Sequence, residues 1–418
     1  MTSQEQHMMR SNVAQIPLEA IDVSDATLYQ KDSWRPFFAR LRAEDPVHWS
    51  ENDVFGGFWS VTRFEDIIAV DGNHEAFSSV PAITIGDYGD DLPVTQFIAM
   101  DPPIHDVQRA AVQDVVAPRN LAQLEGLIRQ RVGDILDGLP LGETFNWVEK
   151  VSINLTTQML ATIFDFPFAD RHKLPYWSDM ATSLPDATGS DGNVDARTAA
   201  LQECLAYFTE LWHQRKNNPP DTMDLISLLA TNPATRNMVD DPLEYLGNLI
   251  LLIVGGNDTT RNSITGGVLA LHENPDQFTK LRSNLNLIPS MVSEVIRWQT
   301  PLMHMRRIAT RDIELGGRTI RKGDKVVMWY LSGNHDETAI DQPNEFIIDR
   351  TNPRYHLSFG FGIHRCMGNR LGEMQLRGLW EEILKRFSKV EVIGEPERVL
   401  SNFVRGYSAL PVRLHGLS

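Results

Sequence analysis

The sequence has little cysteine and few positive charges, and each shortage excludes a class of protein. Only Cys204 and Cys366 occur among 418 residues, so the chain is not a disulfide framework, and a reducing cytoplasm is the expected compartment. Lysine and arginine number 39 against 55 aspartate and glutamate, which gives a formal net charge of −16. This balance argues against a broadly basic face, and we expect no nucleic-acid partner.

Long apolar runs are also missing. Residues 1–22 are polar and lack the apolar core of a signal peptide or a membrane anchor. The most apolar stretch, residues 249–254 with its flanks, is too short to span a bilayer. We therefore expect no membrane anchor, and we expect the protein to be a monomer.

Hydrophobic periodicity predicts a mainly α-helical fold with small β-sheets near both ends of the chain. Helical spacing is clear in a set of aliphatic residues that comprises Leu121, Leu124, Leu127, Ile128, Val132 and Ile135. Short strand-like runs occur at residues 46–49, 58–61, 313–315, 319–320, 390–393 and 410–414. Residues 185–197 are rich in turn-forming and charged residues, so we expect a mobile connection there.

The run from residue 359 to residue 368, FGFGIHRCMG, is the strongest signal in the sequence. Its glycines allow the backbone to approach a flat ligand and to adopt positive φ angles. Cys366 falls where a helical pattern begins, and a helix N-terminus favours the thiolate form that binds a metal.

Two other interpretations of Cys366 compete with a metal ligand. For an arbitrary cysteine, a buried free thiol is the better expectation. Here six residues of the run 359–368 occupy the positions of a single cysteine-loop motif. At average residue usage, the probability of such a match by chance is on the order of 10⁻⁸ per start position. The six residues are Phe359, Gly360, Gly362, His364, Cys366 and Gly368. A zinc site is the other interpretation, and it is disfavoured because no second cysteine lies near Cys366 in the sequence.

A second polar cluster interrupts an apolar helix. Asp241 and Pro242 provide an N-cap and a first-turn proline, and residues 249–254 are apolar on every side, as expected for a helix through the protein centre. Residues 255–260, GGNDTT, then place glycines and polar groups mid-helix, where a threonine hydroxyl can bond back to the carbonyl four residues earlier and open the helix locally. A kinked structural helix with a solvated Asp258 is the alternative.

The cysteine loop resembles the haem-binding loop of the cytochromes P450, and the resemblance extends along almost the whole chain. It implies the cytochrome P450 fold, with haem b between a long central helix and the cysteine-loop helix, as one catalytic domain over residues 1–418 without a fused reductase or ferredoxin. It also implies that Cys366 binds the iron, that Thr259 steadies O₂, the co-substrate, and that Asp258 gates proton delivery.

The resemblance further implies clamps for the two haem propionates. These are His105, Arg109, Arg307 and His364, with Arg306 as a one-residue register alternative to Arg307. Arginine suits a carboxylate because its planar fork can donate two hydrogen bonds. Glu294, Arg297 and Arg350 are expected to form a buried structural network. Each cation could instead be an ordinary surface residue.

Alignment to family segments suggests a substrate pocket lined by uncharged, mostly apolar residues, although such a set is often plain core. The candidates are Leu251, Val254, Gly255, Leu302, Met303, Phe403 and Val404. Residues 80–96 are expected to help form the roof. A pocket of this kind implies a small hydrophobic substrate.

Four segments sharpen the resemblance: residues 255–262, 303–307, 368–371 and 402–407. They are similar to the soluble bacterial group that hydroxylates medium-chain alkanes and fatty acids at the terminal carbon. Alternatives are the hydroxylation of another small hydrophobic compound such as a terpene, a peroxide-driven enzyme, and a non-catalytic haem protein such as a gas sensor.

Electrons are expected from separate proteins, a [2Fe–2S] ferredoxin and its NAD(P)H-dependent reductase. The chain lacks the cysteines that an iron–sulfur cluster needs. A local cationic face would steer such an acidic partner. Its candidates are Arg354, Arg365, Arg370 and Arg377, which could instead be scattered solvated arginines.

Overall fold

Helices dominate the computed structural model, which describes residues 13–87, 93–218 and 224–417. The α-helices in chain order are α1 (Ala26–Gln30), α2 (Arg35–Glu44), α3 (Phe64–Asp71), α4 (Ile104–Gln113), α5 (Pro118–Asp137), α6 (Asn154–Ile163), α7 (Lys173–Thr182), α8 (Pro185–Thr188), α9 (Val194–Asn217), α10 (Leu225–Thr231), α11 (Pro242–Glu273), α12 (Pro275–Ser283), α13 (Ile288–Gln299), α14 (Tyr330–Gly333) and α15 (Asn369–Arg386). A π-helical segment, Val148–Ile153, leads directly into α6. The mainly helical prediction is confirmed.

The strands confirm the runs that periodicity indicated. In chain order they are β1 (Val47–Asn52), β2 (Gly56–Val61), β3 (Phe77–Ser78), β4 (Thr144–Asn146), β5 (Met305–Ala309), β6 (Ile313–Leu315), β7 (Arg318–Ile320), β8 (Lys325–Met328), β9 (Phe387–Val392), β10 (Glu397–Arg398), β11 (Tyr407–Ala409) and β12 (Pro411–Gly416). Five of them form one sheet in the order β1-β2-β8-β5-β3, so strands from the first quarter of the chain pair with strands beyond residue 300.

Helix α11 runs through the largest hydrophobic core and packs against α6, α7, α9, α13 and α15. The predicted start is confirmed, since the Asp241 side chain accepts hydrogen bonds from the backbone N–H groups of Leu243 and Glu244. The helix continues without interruption to Glu273, so the local opening expected at residues 255–260 does not break it. The Thr259 hydroxyl does bond back to the Gly255 carbonyl, and the helix accommodates this bond.

The connection expected over residues 185–197 is confined to residues 189–193. Residues 185–188 form α8, and α9 begins at Val194 after an Asn193 N-cap. The Asn402 backbone N–H donates to the Thr188 carbonyl over 2.9 Å, and this contact holds the segment on the protein body. Composition suggested a loop because the stabilising partner lies more than two hundred residues away.

The expected structural network is present and buried. Arg297 donates to both Glu294 oxygens over 2.8 and 2.7 Å, and Arg350 donates to Glu294 over 2.9 Å. Arg297 also donates to the carbonyls of Asn334 and Pro343. The network therefore joins α13 to the chain that precedes the cysteine loop.

Two of the segments discussed above are only partly described by the structure. Residues 1–12, half of the polar N-terminal stretch, and residues 88–92, in the expected roof, lie outside the described residues. Within residues 13–87, 93–218 and 224–417, no helix is both long and apolar enough to cross a membrane.

Candidate active site

The cysteine loop is a tight turn that presents Cys366 two residues before the N-cap of α15. The Cys366 backbone N–H donates to the Phe359 carbonyl over 2.8 Å, which closes the turn. Gly360 and Gly362 have φ angles of 65° and 67°, so the predicted positive-φ glycines are confirmed. Cys366 lines a central cavity, which accounts for its exposed surface. Phe359, Gly360 and Gly368 line the same cavity.

The electrostatic balance at Cys366 differs from the one that the helix N-terminus suggested. Burial raises the pKa of the thiol, although the backbone N–H groups of Gly368 and Asn369 and the cations Arg109 and Arg365 favour the thiolate. Burial outweighs the helix end, because a charge deep in the protein is poorly solvated. A coordinated metal cation reverses this balance and deprotonates the thiol.

A second part of the cavity wall comes from α11. Leu251, Val254, Gly255 and Thr259 line the cavity, and a Cβ at Gly255 would meet nothing within 4 Å. The Thr259 hydroxyl donates to the Gly255 carbonyl over 2.8 Å. Helix α11 therefore contributes open space at Gly255 and the Thr259 hydroxyl to the cavity that Cys366 also lines.

Asp258, the residue before Thr259 on α11, does not line the cavity. Its carboxylate is fully buried, lies 2.9 Å from the Arg261 guanidinium and accepts from the Asn257 amide. Arg261 in turn donates to the half-exposed Asp179 on α7 over 2.5 Å. Burial raises the pKa of Asp258 to about 6, against the lowering effect of Arg261. The alternative of a solvated Asp258 is therefore wrong.

Three of the four predicted propionate clamps lie at one edge of the cavity, and the fourth, His105, contacts it only through His364. Arg109, Arg307 and His364 line it, and the His105 ring packs against the His364 ring with centroids 4.3 Å apart. Arg306 does not line the cavity, because successive strand residues point to opposite faces. Arg306 donates instead to Asp87 over 2.7 Å, so the geometry favours the Arg307 register.

A buried carboxylate that the sequence did not indicate lies beside this edge. Asp71, at the end of α3, accepts from Arg307, from the Tyr330 hydroxyl and from the Phe361 backbone N–H, each over 2.7 Å. Its backbone carbonyl also explains Gly362, where a Cβ would lie 2.3 Å from that oxygen. Gly362 does not line the cavity, and its lack of a side chain lets the loop pass α3. Its contact with the cofactor stays a prediction.

The suggested substrate pocket is mostly, but not entirely, cavity wall. Leu251, Val254, Gly255, Leu302 and Phe403 line the cavity. Met303 and Val404 do not. Met303 is fully buried in a core cluster with Trp329, and Val404 packs in the core around the five-stranded sheet. The alternative of plain core is correct for these two residues.

Several polar residues also line the cavity, although sequence reasoning expected an uncharged wall. Arg197 is only 4% exposed. With it in the wall are Thr84, Gln96, Thr182 and Thr188. No local motif marks these residues, because they come from four separate segments. Ile83, Thr84, Val94 and Gln96 confirm that the described part of residues 80–96 contributes to the wall.

The cavity is suited to a flat dianion with a metal at its centre. The His364 Nε2 lies 2.8 Å from the Ser79 hydroxyl, while its Nδ1 and the His105 Nε2 are buried without a hydrogen-bond partner in the described structure. Buried polar atoms normally have partners, and two carboxylates at this edge would supply acceptors. The described residues contain no cluster of three or more metal-binding side chains, so a metal at Cys366 would need further ligands from a cofactor.

The family model for cytochrome P450 matches residues 127–406, more than half of the chain. The chain is a cytochrome P450. This P450 shares 44% identity with a cytochrome P450-153 from Novosphingobium aromaticivorans, over 94% of this chain and 99% of that one, with a TM-score of 0.89. It is also 34% identical to the linalool 8-monooxygenase of Pseudomonas putida, over 95% of this chain and 99% of the relative. It is 32% identical to a methyl-branched lipid omega-hydroxylase of Mycobacterium tuberculosis, over 95% and 96% of the two chains.

As a P450 monooxygenase, the enzyme is an oxidoreductase that uses haem b with O₂ as co-substrate. The cysteine loop, the open space at Gly255 on α11 and the cationic edge fit the three requirements of that cofactor: a metal ligand, space for a plane and partners for carboxylates.

Proposed function

We propose that this P450 hydroxylates the terminal carbon of medium-chain fatty acids or alkanes, with Cys366 as the protein ligand of the haem iron. The observation that carries the proposal is that Cys366 and Thr259 line the same largely apolar cavity. Bound there, haem would activate O₂ for insertion into an unactivated C–H bond.

The edge residues would hold the haem carboxylates. Burial and the nearby Arg307 lower the pKa of His364 to about 2, so the ring is neutral at physiological pH. The tautomer with its proton on Nδ1 would accept from Ser79 at Nε2 and donate from Nδ1 to a carboxylate. Arg109 and Arg307 would donate hydrogen bonds to the carboxylates, and His105 would support His364 from behind.

Thr259 and Asp258 would have different roles in proton delivery. The Thr259 hydroxyl is fixed at the cavity surface by its bond to the Gly255 carbonyl. Asp258 faces Arg261 and Asp179, which lead to the protein surface. A carboxyl with a pKa of about 6 can gain and lose a proton near neutral pH. Asp258 would therefore exchange protons with solvent, and Thr259 would present one to the cavity.

The polar residues of the wall favour a fatty acid over an alkane. Arg197 could bind a carboxylate, and the neighbouring threonines could accept or donate hydrogen bonds, while the aliphatic residues of α11 contact the chain. The relative named as a lipid omega-hydroxylase supports oxidation at a chain end. The relative named for linalool supports a terpene alcohol as the second candidate.

A ferredoxin would deliver electrons on the side of the cysteine loop. Arg365 and Arg370 are exposed there, whereas Arg354 pairs with Glu373, and Arg377 pairs with Glu125 and lies near Glu381. Arg109 donates to the Arg365 carbonyl over 2.5 Å and so links this face to the cavity edge. We propose an acidic [2Fe–2S] ferredoxin with an NAD(P)H-dependent reductase as the partners.

The test is a spectral titration of the haem-loaded protein with a fatty acid, an n-alkane of the same chain length, and linalool. We expect the fatty acid to convert the haem from low spin to high spin at a lower concentration than the other two compounds. With NADH, ferredoxin and reductase, we expect it to yield the terminal alcohol. Arg197→Leu should weaken the fatty acid response at least tenfold and leave the alkane response within about twofold. Binding of linalool alone, or product formed with peroxide but not with the ferredoxin system, would reject the proposal.

A further inference from the structure

The buried carboxylate of Asp71 joins three separate parts of the haem site. Its Oδ1 accepts from Arg307 on β5, and its Oδ2 accepts from the Tyr330 hydroxyl on α14 and from the Phe361 backbone N–H in the cysteine loop, each over 2.7 Å. The side chain is 1% exposed. Arg307 and Tyr330 both line the central cavity.

Asp71 balances the charge of Arg307. Arg307 is 2% exposed, and its second described hydrogen bond goes to the neutral carbonyl of Arg306. Within the part of the chain that the structure describes, Asp71 is the one acidic side chain in an ion pair with it. Charges interact strongly in a poorly solvated interior, so Arg307 presents much less net positive charge to the cavity than its guanidinium alone would.

Asp71 also fixes the cysteine loop relative to Arg307. The Phe361 N–H lies five residues before Cys366, and both flanking glycines pack on Asp71. A Cβ at Gly360 would lie 3.5 Å from the Asp71 carboxylate, and one at Gly362 would overlap the Asp71 carbonyl. One residue thus sets the distance between a propionate clamp and the loop that carries the metal ligand.

We propose that Asp71 is a positioning residue that sets the reduction potential of the haem iron by neutralising Arg307 beside the cysteine loop. This inference rests on the proposed role of Cys366. A buried negative charge disfavours addition of an electron nearby, so removal of the Asp71 charge should make the iron easier to reduce.

The test is the reduction potential of Asp71→Asn in the haem-loaded protein. Asparagine keeps an acceptor oxygen for Phe361 or Tyr330 and removes the charge. We expect the equilibrium constant for one-electron reduction to rise about tenfold, which corresponds to about 59 mV. The control is Asp336→Asn, a fully buried aspartate that accepts from the Phe64 and Thr338 backbone N–H groups away from the cavity, and its potential should not change.

A double-variant comparison separates action through Arg307 from a general effect. Arg307→Gln alone should lower the potential, and Arg307→Gln with Asp71→Asn should return it to near the wild-type value, because the pair carries no net charge. An unchanged potential in Asp71→Asn, or a double variant shifted as far as Asp71→Asn alone, would overturn the inference.

Two further readouts keep the test decisive. If Asp71→Asn cannot retain haem, Asp71→Glu replaces it, because glutamate keeps the carboxylate charge and its potential should stay near the wild-type value. A tenfold rise in the reduction constant of Asp71→Glu would contradict the inference. The CO difference spectrum of the unmodified protein reports Cys366 ligation independently, so a failure of the proposed function remains distinguishable.

Discussion

At the residue scale, the site is governed by what burial does to groups that carry protons. Burial raises the pKa of the Cys366 thiol and of the Asp258 carboxyl, and it lowers the pKa of the His364 ring. Each shift favours the neutral form, as desolvation requires. A metal cation and haem carboxylates would change the balance at the first and last of these groups, whereas Asp258 lies outside the cavity and keeps its own environment.

Replacement of Thr259 tests the cavity hydroxyl. We expect Thr259→Ala to retain haem and substrate binding but to lower the ratio of product to NADH consumed several-fold, with the lost electrons appearing as peroxide. Thr265 is a matched control, because it lies on the same helix and its hydroxyl also donates to the carbonyl four residues earlier, but it does not line the cavity. Equal coupling in Thr259→Ala and Thr265→Ala would contradict the role of Thr259.

Asp258 predicts a specific pH dependence of stability. Its folded pKa of about 6 lies above its ordinary value of 3.8, so the folded state holds the proton more tightly than the unfolded state. The stabilisation is complete below about pH 4 and is lost as the pH rises through about 6. Urea unfolding should therefore show wild type losing up to about 2–3 kcal/mol relative to Asp258→Asn over this interval. A constant difference between the two proteins across that range would show that the carboxyl titrates normally.

At the element scale, local patterns predicted those elements whose determinants lie within a few residues of one another. The Asp241 cap, the apolar run of α11 and the glycine-rich cysteine loop are all of this kind, and each appears as expected. The hairpin of β6 and β7 also follows its local signal, with Gly316 and Gly317 at φ angles of 55° and 77°.

Features that depend on partners distant in the chain could not be predicted from the sequence. Asp71 carries no local motif, because its partners lie 236, 259 and 290 residues away. The helices within residues 185–197 were not predicted, because the contact between Thr188 and Asn402 also joins residues far apart in the chain. Met303 and Val404 were misplaced for a related reason, since an apolar residue suits a core as well as a cavity and only the packing distinguishes them.

The cysteine loop offers a test of this packing at Gly362. A Cβ there would meet both a positive φ and the Asp71 carbonyl, so Gly362→Ala should destabilise the protein by more than about 3 kcal/mol and promote haem release. Gly142→Ala is the control, because Gly142 has a φ of 75° but a Cβ added there would meet nothing within 4 Å. It should cost only about 1 kcal/mol. Similar urea midpoints for the two variants would show that the contact with Asp71 is unimportant.

At the scale of the whole molecule, charge is distributed unevenly. The chain has a net charge of −16, yet exposed arginines lie next to the cysteine loop. A local positive face on an acidic protein can steer an acidic partner, and the effect weakens as salt screens it.

Charge reversal tests this face. Arg365→Glu with Arg370→Glu should slow reduction by a [2Fe–2S] ferredoxin at least tenfold at low salt and reduce its dependence on ionic strength, without a change in substrate binding. Arg321→Glu is the control, because Arg321 is exposed on the loop after β7 and pairs with Asp312. Equal slowing by the control would show that total charge, and not this face, controls association.

The CO difference spectrum of the reduced protein shows whether the Cys366 thiolate binds the haem iron. We expect the red-shifted band of a thiolate-bound ferrous haem in wild type and in Cys204→Ser, which alters the other cysteine, buried in the helical core. We expect loss of that band in Cys366→Ser and Cys366→His. Persistence of the band without Cys366, or its absence from haem-loaded wild type, would show that this cysteine is not the ligand.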